Sequence, residues 1–104
     1  MTTFDDRENA FEAKFAHDSE MMFRAEARRN RLLGLWAAGL LGKSGDEAAA
    51  YAMSVVESDF EKPGVDDVVA KVAGDLAGKA SEADIRAKLT ELMAVAKSQL
   101  ASEV

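Results

Sequence analysis

Almost the whole chain repeats its apolar residues at the three- and four-residue spacing of an α-helix, and it contains a single proline, Pro63. The composition is rich in alanine and leucine and has no alternating runs of β-branched residues, which favours helices over strands. The clearest amphipathic stretch lies near the C-terminus. Its apolar residues are Ile85, Leu89, Leu92, Met93, Ala96 and Leu100. The pattern predicts an all-α fold.

Cap and turn signals divide this pattern into four helices, over about 19–42, 45–60, 65–77 and 82–101. The signals are Asp18 and Ser19 as an N-cap, Gly42 as a left-handed C-cap, Ser44 with Glu47 and Ser81 with Asp84 as capping boxes, and the Pro63–Gly64 turn. Because the connections are short, residues 19–104 are predicted to form a compact antiparallel four-helix bundle. Its core candidates are Trp36, Tyr51, Leu76, Leu89 and Leu92. Gly34 and Gly39, inside the first of these helices, are predicted to permit close helix packing.

Residues 1–18 form a separate segment in this interpretation. Phe4, Phe11 and Phe15 are seven and four residues apart, so a helix would place the three rings on one face, opposite charged residues such as Arg7 and Lys14. The sequence offers this ring face no obvious cover within the protein, and we predict that it meets a groove on a partner. Whether the segment is a separate helix, a frayed extension or disordered when unbound stays open.

Charge and composition restrict the classes of partner. The net charge is −6, and most of it comes from Lys43 onward, so nucleic acid is not expected as a partner. The chain has no cysteine, no signal-peptide pattern and no apolar run of membrane-spanning length, which predicts a cytoplasmic protein without direct membrane insertion. Arg24, Arg28 and Arg31 fall on one helical stripe; we interpret it as a solvated face paired with Glu20 and Glu26, and the alternative is a docking patch for an acidic partner.

Catalytic and cofactor motifs are incomplete. Gly42-Lys43-Ser44 resembles the end of a phosphate-binding loop, but Ala37 stands where that motif needs its first glycine. His17 is the only histidine, so it is the single candidate for the general base of a Ser-His-Asp triad. The acidic pairs lie at predicted helix starts, where the helix dipole explains them. We therefore predict no enzyme activity, no cofactor and no metal site.

A family resemblance rests on nine segments spread over almost the whole chain. They are Phe4–Glu8, Phe11–Asp18, Ala27–Asn30, Leu32–Ala38, Tyr51–Ala52, Val55–Val56, Asp59–Gly64, Ile85–Arg86 and Lys88–Leu89. Together they resemble the zeta inhibitor subunit of the F-type ATP synthase of alphaproteobacteria.

The resemblance implies an inhibitor of ATP hydrolysis. Its N-terminal helix would enter an α/β catalytic interface of the enzyme head, formed by the α, β and γ subunits, and block rotation, with the protein peripheral to the inner membrane. The residues predicted to bind the partner are Phe4, Arg7, Glu8, Phe11, Lys14 and Phe15. The alternatives are a generic helical interaction module, or a small nucleotide-responsive bundle with another partner.

Overall fold

The computed structural model describes the backbone of residues 3–103 and the side chains of residues 6–103. This part of the chain is all α, as predicted, and holds five helices and no strand. They are α1 (Thr3–Phe15), α2 (Ser19–Leu40), α3 (Gly45–Glu61), α4 (Val65–Leu76) and α5 (Glu82–Glu103). The ends of α2 to α5 differ from the predicted ones by no more than two residues.

Helices α2 and α5 contact each other, and each also contacts at least two of the other helices. Helix α2 lies between α3 and α5, α4 closes the far side against α3 and α5, and α1 packs along α5. The main core is formed by residues of α2, α3, α4 and α5. Its buried residues are Leu33, Ala37, Val55, Val68, Val69, Val72, Leu76, Ile85 and Leu89. Of the predicted core residues, Leu76 and Leu89 are buried, and Trp36, Tyr51 and Leu92 are half-buried against this core.

Two of the three predicted N-caps form. The Asp18 carboxylate accepts a hydrogen bond from the Met21 amide at 3.1 Å and begins α2. At α5, the Ser81 hydroxyl accepts from the Asp84 amide at 3.0 Å while the Asp84 carboxylate accepts from the Ser81 amide at 3.2 Å. Ser44 makes no side-chain cap, so the prediction of a capping box there was wrong. Gly45, the first residue of α3, has a left-handed φ of 54° in place of the negative φ of a regular helix start.

Gly34 brings α2 and α3 together, as predicted. A Cβ added to Gly34 would lie 2.5 Å from the Ala52 Cα, so only glycine allows this approach of the two backbones. Gly39 has open space around it and has no such role. Gly42 takes the predicted left-handed conformation after α2, with φ of 76°.

A chain of polar contacts ties α2 to the turn between α3 and α4. The buried Arg29 donates from Nε to Asn30 Oδ1 at 3.2 Å, and Asn30 Nδ2 donates to Asp59 Oδ2 at 3.0 Å. Asp59 Oδ1 then accepts from the Gly64 amide at 3.2 Å. Because Asn30 is fully buried, these bonds satisfy an amide that would otherwise be costly to bury.

Candidate partner-binding site

The ring face of α1 lies against the protein's own body. Phe11 is fully buried, in a cluster with Met21 and Ala25 of α2 and Leu100 of α5, which we call the N-terminal cluster. Phe15 is half-buried beside it, with its ring centroid 5.2 Å from that of Phe11. The expectation that these rings lack cover within the protein was therefore wrong for Phe11, because α2 and α5 together leave an apolar seat of matching size.

Polar contacts also hold α1 on α5. Lys97 of α5 forms an ion pair with Glu12, and its ammonium lies 5.9 Å from the centroid of the Phe11 ring. The Lys97 side chain is 13% exposed and that of Glu12 is 45% exposed, so solvent screens this pair only in part. Sequence reasoning missed Lys97, because no local pattern shows that position 97 faces a helix more than eighty residues earlier.

The five predicted partner-binding residues whose side chains the structure describes divide between two sides of α1. Arg7 and Lys14 are exposed, and the Lys14 ammonium lies 5.3 Å from the Phe15 ring centroid. Glu8 is half-buried and faces the body with Phe11 and Phe15. The side chain of Phe4 lies outside the described residues.

Glu8 lines an open cleft of about 440 Å³ between α1, α2 and α5. Arg29 and Arg86 line the same cleft. Arg86 pairs with Asp66 at 2.9 Å, whereas Arg29 forms no salt bridge with any residue that the structure describes. The cleft thus combines two guanidinium groups with a carboxylate contributed by the N-terminal helix.

The arginine stripe of α2 is partly paired. Arg24 pairs with Glu20 at 2.7 Å, as predicted. Arg28 instead reaches the end of α5, where it pairs with Glu103; this hydrogen bond raises the pKa of Arg28 and lowers that of Glu103. Among the described residues, Glu26 and Arg31 form no salt bridge, so the predicted pairing by Glu26 was wrong.

Within residues 6–103, no group of three or more His, Cys, Asp and Glu side chains is placed to hold a metal ion. No helix in the described part of the chain is both long enough and apolar enough to cross a membrane. The described part of the chain is a small all-α protein, with the short helix α1 seated on a body formed by α2 to α5.

The chain belongs to the ATPase inhibitor subunit zeta family, whose family model matches residues 1–99. This membership supports a role as an ATPase inhibitor and points to a non-catalytic protein. A protein structure solved by solution NMR is similar to the chain, with 63% sequence identity and a TM-score of 0.74. The similarity covers 81% of this chain and 99% of that one. No curated protein matches the chain.

Proposed function

We propose that the chain inhibits ATP hydrolysis by F-type ATP synthase by inserting α1 at an α/β catalytic interface of the enzyme head, where it blocks rotation. The observation that carries this proposal is the family match, which includes all of α1. In this role the protein is peripheral to the membrane and is held there through the ATP synthase.

The seating of α1 supports a two-step mechanism. Phe11 is buried on α5 in the free protein, so α1 must leave α5 before its ring face can enter a groove on the head. Isolated helices shorter than about 12–15 residues are marginal in water, and α1 has 13, so the released segment is expected to be only partly helical until it docks.

Because Phe11 is already buried in the free protein, it contributes less to the free energy of docking. Full burial of a phenylalanine contributes about 1.5–3 kcal/mol relative to an exposed one. Phe11 moves from one apolar environment to another and so adds little net free energy. The gain must therefore come from groups that are exposed before docking, and Arg7 and Lys14 are exposed cations positioned to pair with carboxylates at the rim of the groove.

An ATPase assay on the purified cognate head tests the proposal. Arg7→Glu and Lys14→Glu change exposed side chains, so they leave the fold intact, and each is expected to raise the half-inhibitory concentration about tenfold, or about 1.4 kcal/mol. Lys79→Glu is the control, because it makes the same charge change at an exposed position between α4 and α5. A wild-type protein that does not slow hydrolysis contradicts the function. Inhibition that is equal in all three variants contradicts only the insertion of α1.

The cleft beside α1 favours a second candidate, a nucleotide-responsive protein. A phosphate group between Arg29 and Arg86 would pair with guanidinium groups and repel the Glu8 carboxylate. Such a ligand would therefore loosen α1 from the body. Titration with ATP, followed by amide chemical shifts, should move the resonances of residues around this cleft; shifts spread evenly over the chain or absent altogether would contradict it.

A further inference from the structure

Three large hydrophobic side chains lie exposed on neighbouring surfaces of α2 and α3. Phe23 is 53% exposed, Met53 is 50% exposed and Phe60 is 57% exposed. Single exposed apolar side chains are normal on a protein surface, but a continuous group of them marks a site of interaction. We call these three residues, with Arg24 and Arg31 beside them, the α2–α3 face.

The two rings of this face do not serve either apolar cluster of the protein. Neither Phe23 nor Phe60 belongs to the main core or to the N-terminal cluster. Their ring centroids are 5.3 Å apart with the planes inclined at 44°, so each covers part of the other and leaves its outer side in water. A contact with a partner would bury this apolar surface, which folding leaves exposed.

Arginines border the same face. An open groove of about 410 Å³ runs beside Phe23 and Met53, and Arg24, Arg28 and Arg31 all line it. Among the described residues that line the groove, Glu103 is the only one with a carboxylate side chain, and it is already paired with Arg28. Arg31 is exposed and forms no salt bridge with a described residue. Arg24 is likewise paired, with Glu20, and Glu26 and Asp59 lie beside the two rings, so Arg31 is the cation of this face that is left to pair with a carboxylate on a partner.

Charge also argues against other occupants. A second copy joined across a two-fold axis would bring the arginines of one face towards those of the other. Nucleic acid and an anionic membrane both repel a chain of this net charge over most of its surface. A protein segment can match the face locally, with apolar side chains on Phe23 and Phe60 and carboxylates on the arginines.

We propose that the α2–α3 face docks a surface segment of a partner protein whose apolar side chains are flanked by carboxylates. The inference rests on the proposed function in one respect, because it takes that partner to be the ATPase head. Phe23 lies eight residues beyond Phe15, across the turn between α1 and α2, and eight residues span at most about 29 Å when fully extended, so a head that holds α1 is within reach of this face. The inhibitor would then contact the head through two surfaces, α1 and the α2–α3 face.

The test uses the full-length protein and measures both its binding to the cognate head and the half-inhibitory concentration. Arg31→Glu is expected to weaken both about tenfold at low salt, and Arg31→Lys is expected to retain most of the affinity. Lys79→Glu is the matched control, because it makes the same charge change at another exposed position. Phe60→Ala tests the apolar part and is expected to increase the dissociation rate about fivefold or more. Thermal melting of each variant shows that its fold is unchanged.

The outcomes separate the two proposals. Wild-type protein that does not bind the head overturns the proposed function and this inference with it. Binding by wild type that Arg31→Glu and Phe60→Ala weaken no more than Lys79→Glu overturns this inference alone. Loss of binding to phosphatidylserine vesicles in these variants, with unchanged inhibition, would assign the face to a membrane. Loss of self-association in sedimentation, again with unchanged inhibition, would assign it to a second copy of the chain.

Discussion

Lys97 holds α1 on the body in the free protein, and its replacement by alanine tests whether this seat competes with inhibition. The change removes the ion pair to Glu12 and the contact of the ammonium with the Phe11 ring. It leaves α1 itself unaltered, so every group proposed to touch the head is still present. Lys97→Ala therefore weakens the seated state without weakening the docked one.

The structure gives the size of this effect. An ion pair with partly exposed members contributes about 0.2–1 kcal/mol, and a cation near an aromatic ring contributes about 0.5–1 kcal/mol. Together they stabilise the seated state by about 1–2 kcal/mol, which is a factor of about 5–30 in the equilibrium between seated and released α1. If most molecules are seated before they meet the head, the apparent affinity for the head rises by up to the same factor.

Two measurements on the same variant check the reasoning. Amide hydrogen exchange within α1 is expected to become about 5–30 times faster, because a released helix of this length is only marginally stable. The half-inhibitory concentration in an ATPase assay is expected to fall. Lys71→Ala is the control, since Lys71 also forms an ion pair, with Asp75 at 2.9 Å, and lies 5.4 Å from the centroid of an aromatic ring, that of Tyr51. It should alter neither measurement.

Either of two results would refute this account. Unchanged exchange in α1 would mean that Lys97 does not hold the helix in place. Faster exchange with unchanged or weaker inhibition would mean that release of α1 does not limit inhibition, and the two-step mechanism would be wrong.

Three further predictions concern the stability of the body. Gly34→Ala should destabilise the fold by about 1–2 kcal/mol, because the new Cβ meets the Ala52 Cα, whereas Gly39→Ala, with open space around it, should stabilise by about 0.5–1 kcal/mol; thermal melting compares them. Burial alone would raise the pKa of Asp75, but hydrogen bonds that Lys71 and Tyr51 donate to its carboxylate outweigh this effect and lower the pKa. The ionised carboxylate therefore stabilises the fold at pH values above its unfolded pKa, near 4, and this stability is lost as the pH falls through the folded pKa. In urea unfolding at a series of pH values, Asp75→Asn should reduce the loss of stability on the acid side. A loss as steep as that of the wild type would contradict this role of Asp75. Ser81→Ala removes an N-cap and should lower the free energy of unfolding in urea by about 1 kcal/mol. An unchanged free energy of unfolding would show that the cap does not stabilise the fold.

The helices of the body could be predicted because their signals are local. Apolar spacing places α5, and Pro63 with Gly64 separates α3 from α4, since each signal acts within a few residues. The one N-cap that did not form, at Ser44, is followed by a glycine, Gly45, in a left-handed conformation. A side-chain pattern does not specify that choice of backbone angle.

The seat of α1 could not be predicted, because it depends on contacts between distant parts of the chain. The sequence shows the ring face of α1 and the apolar side of α5, but it does not show that Phe11 meets Leu100. The same limit applies to Lys97 and to the partner of Arg28, which proved to be Glu103. Periodicity indicates which side of a helix is apolar; it does not indicate which surface covers it.

The seated position of α1 has a consequence for proteolysis of the protein. Proteases cut a chain where its backbone opens, and α1, held by Phe11, the half-buried Phe15 and one ion pair, is expected to open more readily than the body beneath it. Cleavage would therefore begin in α1 and leave behind a folded body without the segment that we propose to be inhibitory. The fraction of molecules with α1 seated on α5 would then set the rate at which inhibition is lost.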